Sequence, residues 1–301
     1  MKVLITGANG LLGQKLVQLL SSRTEVVATS RGPCRFELPP GSSYHSMDIT
    51  NEDQVSSVIN QLQPQAVIHT AAMTQVDQCE QDQESCLSVN VEGTRNVAEA
   101  AESISAYLIH LSTDFIFDGQ SGPYNEEASP APVNFYGECK LRAEKIVQDI
   151  SQGSAIIRTI LVYGWLPNMS RPNIILWVKE SLEQNKTIQL VDDQWRTPTL
   201  VEDLAQGCWL VLEKHARGVY HVAGSDFITP YQMALQTAEY FDLDKELIKK
   251  TDSSMFTQPA KRPLITGFEI TKAASELGYK PHTFAEGIAV MARQISASEM
   301  A

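Results

Sequence analysis

Tyr136 and Lys140 are the residues whose types and spacing point most directly to chemistry. They lie four apart in a segment, about Asn134–Asp149, whose pattern predicts a helix, so both side chains share one face. An ammonium beneath a phenol lowers the phenol's pKa. A phenol tuned in this way can hand a proton to a carbonyl oxygen as hydride arrives. Upstream, Leu108-Ile109-His110-Leu111-Ser112-Thr113-Asp114 runs off an expected strand. In an open parallel sheet that carboxyl end borders the ligand crevice. A hydroxyl there, Thr113 or Ser112, could hold and polarise a substrate carbonyl; a plain strand-end turn is the alternative.

A second pattern concerns phosphate. Gly7-Ala8-Asn9-Gly10-Leu11-Leu12-Gly13 follows the first expected strand and opens the first expected helix. One glycine permits a tight turn, one lets backbone approach a pyrophosphate, and one permits close helix–strand packing. The N–H groups at the helix start favour phosphate. The second strand ends Val27-Ala28-Thr29-Ser30-Arg31, with no acid to take a ribose hydroxyl. Arg31 then reads as a ligand for a 2′-phosphate, with Ser30 donating a hydrogen bond, or else as a solvated surface arginine. NADPH is the expected cofactor on this reading, with NADH the alternative. Asp48, beside Ile49, could take the adenine amino group or cap the next helix, with Thr50 a competing cap.

The elements that must position these residues follow from hydrophobic rhythm. Strands are expected at Lys2–Thr6, Glu25–Ser30, Ser43–Met47, Ala66–His69, Tyr107–Ser112 and Ser154–Thr159. Helices are expected at Leu11–Ser21, Asn51–Leu62 and Gln83–Ser103, besides the one carrying Tyr136. This alternation predicts an α/β fold, a doubly wound parallel (Rossmann) sheet. After about Val162 the rhythm loosens. Helices are expected near Asn173–Glu183, Val201–His215, Thr229–Phe241 and Thr271–Leu277, and strands at Thr187–Val191 and Gly218–Val222. The expected division is a dinucleotide domain over 1–162 and a smaller α/β substrate lobe over 163–301, part of which returns to the Rossmann sheet. Ligands favour the cleft between such lobes.

Bulk properties narrow the function classes. The 301 residues are 43% hydrophobic and 20% charged, an ordinary globular mixture. A net charge of −12 argues against a nucleic-acid or anionic-membrane binder, which would carry a basic face. The five cysteines include no CxxC pair, so reduced thiols are expected rather than a metal site. Asp192-Asp193 and Glu126-Glu127 read as solvated turns, and no metal is expected. The N-terminal apolar run is interrupted by Gly7, Asn9, Gly10, Gly13, Gln14 and Lys15, unlike a signal peptide. The expected location is the cytoplasm, and symmetry favours a homodimer if the chain assembles.

Taken together, the GxxGxxG loop, the strand-end Ser-Thr and the Tyr136–Lys140 pair resemble the extended short-chain dehydrogenase/reductases. Longer segments are similar to the dTDP-4-dehydrorhamnose reductase family. They include Ser112-Thr113-Asp114-Phe115-Ile116-Phe117-Asp118-Gly119, Ala71-Ala72-Met73-Thr74-Gln75-Val76-Asp77 and Asn90-Val91-Glu92-Gly93-Thr94. Arg158-Thr159, Val162-Tyr163-Gly164, Arg196-Thr197-Pro198-Thr199 and Arg262-Pro263 extend the likeness, which runs from residue 2 to about residue 280.

The resemblance implies NAD(P)H-dependent reduction of a 4-keto nucleotide sugar. It places Thr113, Tyr136 and Lys140 in catalytic roles, with Lys140 also on the nicotinamide ribose. Gly7, Gly10 and Gly13, with Leu11 and Leu12 between them, would line the pyrophosphate, and Ala71 and Ala72 the cofactor. Thr74, Val76, Asp114, Leu161 and Arg196 fall on the substrate side. Arg196, with Arg171 or Arg262, could clamp a diphosphate. Asn90 stands where the superfamily often has a structural or water-relay asparagine. Leu161 departs from the family, which commonly has Trp before Val-Tyr-Gly. Two alternatives stand beside a reductase: an epimerase or dehydratase with bound NAD, and a dinucleotide-binding regulatory subunit like that of methionine adenosyltransferase. Asp114-Phe115 lacks the Asp-Glu pair usual in a dehydratase.

Overall fold

The computed structural model describes residues 1–151, 153–167, 169 and 172–299. Apolar runs too short for helices and buried on both sides make the central sheet. Its first strands and helices are β1 (Lys2–Thr6), α1 (Leu11–Leu20), β2 (Glu25–Ser30), β3 (Ser42–Ser46), α2 (Glu52–Leu62) and β4 (Ala66–His69). Then come α3 (Val76–Gln81), α4 (Gln83–Leu87), α5 (Gly93–Ser103), β5 (Tyr107–Thr113), α6 (Phe135–Ile150) and β6 (Ala155–Thr159). The C-terminal part adds β7 (Val162–Tyr163), α7 (Ile174–Glu183), β8 (Ile188–Val191), β9 (Thr199–Leu200), α8 (Val201–Glu213) and β10 (Gly218–His221). It ends with α9 (Pro230–Tyr240), β11 (Ile248–Thr251) and α10 (Phe284–Glu299).

The fold is α/β, with a seven-stranded parallel sheet in the order β10-β6-β5-β4-β1-β2-β3. Alternation along β1 sends Val3 and Ile5 to one face and Leu4 to the other. The first face packs on α1 and α8 through Leu16, Leu20, Leu204 and Cys208. The second packs on α2, α5 and α6 through Val55, Ile59, Val97 and Val147. β10 adds the outermost strand, pairing with β6 in the register Gly218↔Ala155 to His221↔Arg158. The smaller pairs β8–β11 and β7–β9 lie in the C-terminal part, where α7, α9 and α10 enclose their own cores.

Four features differ from the sequence expectation. The helix expected over Gln83–Ser103 is interrupted by a π-type turn at Ser88–Glu92. That turn aims Asn90 inward, where Nδ2 donates to the Met73 carbonyl at 2.9 Å and Oδ1 accepts from the Met73 amide at 2.8 Å. Asn90 thus has a structural place, fixing the loop after β4. Helix α3 and the short strands β7, β9 and β11 were not expected, and neither was α10, although Phe284, Ile288 and Met291 are buried at helical spacing. The segment read as a helix at Thr271–Leu277 closes in a π-type turn at Ala273–Leu277, ended by Gly278 at φ +74°. Asp192 and Asp193 are not solvated turn residues. Asp192 pairs with Lys250 and accepts from Thr229 Oγ1, and Asp193 accepts from Ser253. No described helix is long and apolar enough to cross a membrane. The five cysteines are free.

Candidate functional site

One cleft of about 1080 Å³ opens at the carboxyl ends of β1, β4 and β5. It straddles the β1–β4 boundary, where the strand order reverses and doubly wound sheets bind ligands. Its first half is built on the glycine loop. Gly7 has φ +69°, and a Cβ there would come within 2.8 Å of the Ala71 backbone. A Cβ on Gly13 would meet the Gly7 carbonyl oxygen at 2.4 Å, so α1 can press onto the loop only as glycine. Gly10 is the N-cap of α1, with no side chain capping the helix and no acid in its first turn. Leu11, Leu12 and Gly13 line the cleft at an uncapped helix start, whose free amides suit a pyrophosphate.

Ser30, Arg31, Asp48 and Ile49 line the far end of this half, and Ala71 and Ala72 the opposite wall. Arg31 is exposed and makes no ion pair among the described residues. Asp48 accepts from the Thr50 amide at 3.0 Å and hydroxyl at 2.8 Å. Neither Asp48 nor Thr50 caps α2; that cap is Asn51, whose side chain accepts from the Gln54 amide at 2.9 Å. The Thr70 and Ala71 amides donate to Thr6 Oγ1, which pins the loop after β4 to the end of β1.

The second half carries the proton chemistry. Asn134 caps α6 by accepting from the Gly137 amide at 2.9 Å. A Cβ on Gly137 would lie 2.1 Å from the Phe115 carbonyl oxygen. The helix start therefore sits hard against the turn after β5, bringing Tyr136 beside Thr113. Burial pushes the Tyr136 phenol up, with the Thr113 hydroxyl opposing and Asp114 adding to the rise. Burial pushes the Lys140 amine down to about 8, opposed by Glu144 one turn along. Lys140 Nζ donates to the Leu111 carbonyl at 2.7 Å and lies 3.3 Å from His110 Nε2. Among the described residues it makes no hydrogen bond to Tyr136. Burial dominates at the phenol, whose pKa is raised, and the proton stays on it, the state needed in a proton donor.

On the substrate side, Thr74, Val76, Asp114, Leu161 and Arg196 all line the cleft. Asp114 is fully buried; its carboxylate accepts from Thr113 Oγ1 at 3.1 Å and Thr266 Oγ1 at 2.6 Å, and faces Arg196 Nε at 4.0 Å. Burial pushes the Asp114 pKa up against these partners. Arg196 is not an open cation. Its Nη1 donates to the Trp195 and Leu264 carbonyls, both at 2.8 Å, and Nη2 to the Pro263 carbonyl at 2.6 Å. Arg262 is likewise occupied, gripping Asp77 of α3 with both terminal nitrogens. Both arginines hold the segment around 260–266 against the cleft instead of presenting free donors. Arg171 lies outside the described residues. Leu161 adopts φ +40° and is 41% exposed, an uncommon conformation for a branched side chain and one seen where function holds strain.

Met73, Gln78, Ser85 and Gln194 also line the cleft and were not expected to. The buried pair His69 and His110 was missed as well. Its signal was present: a histidine inside each of two buried, largely apolar strands.

Comparisons with known proteins show the family. The RmlD substrate binding domain profile matches residues 1–297. The probable low-salt glycan biosynthesis reductase Agl14 of Haloferax volcanii is 30% identical over 295 residues, covering 97% of each chain. Methionine adenosyltransferase 2 subunit beta of Mus musculus is 32% identical over 271 residues, covering 87% of this chain and 78% of that one. The crystal structure of dTDP-4-dehydrorhamnose reductase from Bacillus anthracis, solved with NADP, superposes with a TM-score of 0.84 at 28% identity. It covers 97% of this chain and 99% of its own. The match spans nearly the whole length, and the chain belongs to the RmlD substrate binding domain family.

Proposed function

We propose that the protein is an NADPH-dependent reductase of a 4-keto nucleotide sugar, converting dTDP-4-dehydrorhamnose to dTDP-rhamnose in nucleotide-sugar and surface-polysaccharide biosynthesis. The observation that carries this reading is the convergence of Thr113, Tyr136 and Lys140 at one end of a cleft whose other end offers an uncapped helix start and Arg31, which makes no ion pair among the described residues. Residues 1–162 would hold the dinucleotide and 163–301 would complete the substrate side, with the cytoplasm as the setting. Bound NADPH would supply hydride to the 4-keto carbon. Tyr136 gives its phenolic proton to the keto oxygen, the Thr113 hydroxyl turns from Asp114 to donate to that oxygen, and Lys140 places positive charge near the developing tyrosinate. Gly7, Gly10 and Gly13 admit the pyrophosphate, Arg31 and Ser30 hold the 2′-phosphate, and Asp48 meets the adenine.

Asp114 speaks against a dehydratase. It is a single carboxylate already engaged by Thr113, Thr266 and Arg196, with Phe115 where a second acid would stand. A regulatory role is the second reading, favoured by the 32% identity to the methionine adenosyltransferase subunit. Tyr136→Phe separates the two. A reductase loses turnover by about 100-fold or more with dinucleotide binding intact; near-normal turnover in this variant contradicts the mechanism.

A further inference from the structure

The carboxyl ends of β1 and β4 and the middle of β5 carry a row of buried polar side chains in register. Thr6 pairs with His69, and His69 with His110. All three are 1% exposed or less. Hydrogen-bond directions along the row can be assigned from chemistry. Thr6 Oγ1 accepts the Thr70 and Ala71 amides, so its own proton goes to His69 Nδ1, 2.7 Å away. His69 then carries its proton on Nε2, facing Thr94 Oγ1 at 3.2 Å, and Thr94 donates to the Asn90 carbonyl at 2.8 Å. Both His69 nitrogens are satisfied.

His110 differs. Its Nε2 lies 3.3 Å from Lys140 Nζ, while its Nδ1 has no hydrogen-bond partner among the described residues. An ammonium can only donate, so Nε2 must be bare and the ring proton sits on the orphaned Nδ1. A buried N–H without a partner is costly, and the other tautomer would set an N–H against the ammonium. The cost is borne where it leaves an acceptor pointing at Lys140.

We propose that His110 is a positioning residue for Lys140: its neutral imidazole accepts from the ammonium and, with the Leu111 carbonyl, keeps that amine charged and fixed beside the proton donor. Other groups act on Lys140 as well. They are Glu144 and Cys139 on its own helix, Cys86 on α4, and His69 beyond His110. Neither imidazole competes for the proton. Burial and the neighbouring Lys140 hold His69 down to about 3 and His110 well below its ordinary value.

The kinetic consequence rests on the reductase reading, but the structural one does not, so the test has independent arms. In the wild-type protein, histidine nitrogen NMR is expected to show His110 neutral from about pH 6 to 9, protonated on Nδ1 and bare on Nε2. The opposite tautomer overturns the proposal without any variant. Next, the Lys140 titration is followed by side-chain lysine NMR in His110→Phe and His110→Gln. Loss of the acceptor is expected to move it acid-ward by about one pH unit in His110→Phe, and far less in His110→Gln, whose amide oxygen can accept. Equal titrations in wild type and both variants overturn the proposal, whatever happens to stability. If the protein turns over a keto sugar nucleotide, the alkaline limb of kcat follows the same shifts with KM unchanged. If it turns over none, the reductase reading fails while the NMR arms still decide the role of His110.

Discussion

Arg158 of β6 and Glu144 of α6 meet through two hydrogen bonds, Nε to Oε1 at 3.0 Å and Nη2 to Oε2 at 2.8 Å, with both side chains almost wholly buried. The pair ties the helix that carries Tyr136 and Lys140 to the sheet, one turn beyond Lys140. Removing one partner of a buried pair strands the other charge, which costs about 3–5 kcal/mol. Glu144→Ala is therefore expected to lose stability on that scale in urea unfolding. The double variant Glu144→Leu/Arg158→Met is expected to recover most of it. A loss under about 1 kcal/mol in Glu144→Ala would show that solvent reaches the pair.

Lys140 makes stability depend on pH in a defined window. Its folded pKa is about 8, against an ordinary value of 10.5. Below about pH 8 the amine is protonated in both states and contributes no slope. Between the two values the unfolded chain binds more protons, so stability rises with pH. Relative to Lys140→Met, wild type is expected to gain about 2 kcal/mol between about pH 7.5 and 9.5. Parallel pH profiles for the two proteins would contradict the burial of the charge.

Arg31 is exposed and makes no ion pair among the described residues, so its replacement should leave the fold alone. Arg31→Ala is expected to weaken NADPH binding by about 10- to 100-fold, the loss of a charge-assisted contact to phosphate. NADH binding is expected to stay within about twofold. Calorimetric titration of both nucleotides reads the difference. An equal loss for the two would move Arg31 away from the 2′-phosphate.

Leu161 combines a left-handed backbone with an exposed side chain in the substrate half of the cleft. Glycine adopts that conformation without strain, although it adds disorder to the unfolded chain. Leu161→Gly is expected to melt no lower than wild type, by up to about 1 kcal/mol in its favour, while KM for the sugar nucleotide rises. A lowered Tm with KM unchanged would make Leu161 a packing residue.

Much of this was legible because the sheet strands are apolar runs with few rivals. Lys2–Thr6, Glu25–Ser30 and Ala66–His69 stand where hydrophobic rhythm puts them. The candidate site was traced from strand ends and one helix face, and the residues expected to bind or react in the described region line one cleft. What the sequence concealed is tertiary. The break before α5 depends on Asn90 reaching Met73 and on Gly93, where a Cβ would meet Ile49 Cδ1 at 2.8 Å. Arg196 and Arg262 look like free cations in a sequence. Their partners are carbonyls and a carboxylate as far as 185 residues away, beyond any local pattern. The Lys140 ammonium was expected under the phenol; its carbonyl acceptor and the flanking imidazole are set by the register of β4 and β5.

The most direct test of keto-sugar reduction is loss of reduced-nicotinamide absorbance when the purified protein meets NADPH and freshly made dTDP-4-keto-6-deoxy-L-mannose. The expected result is stoichiometric NADPH oxidation that yields the 4-hydroxy sugar, is slower with NADH and falls about 100-fold or more in Tyr136→Phe. No turnover of this or any other 4-keto nucleotide sugar, in a protein shown to bind the dinucleotide, would contradict it and leave the regulatory reading in its place.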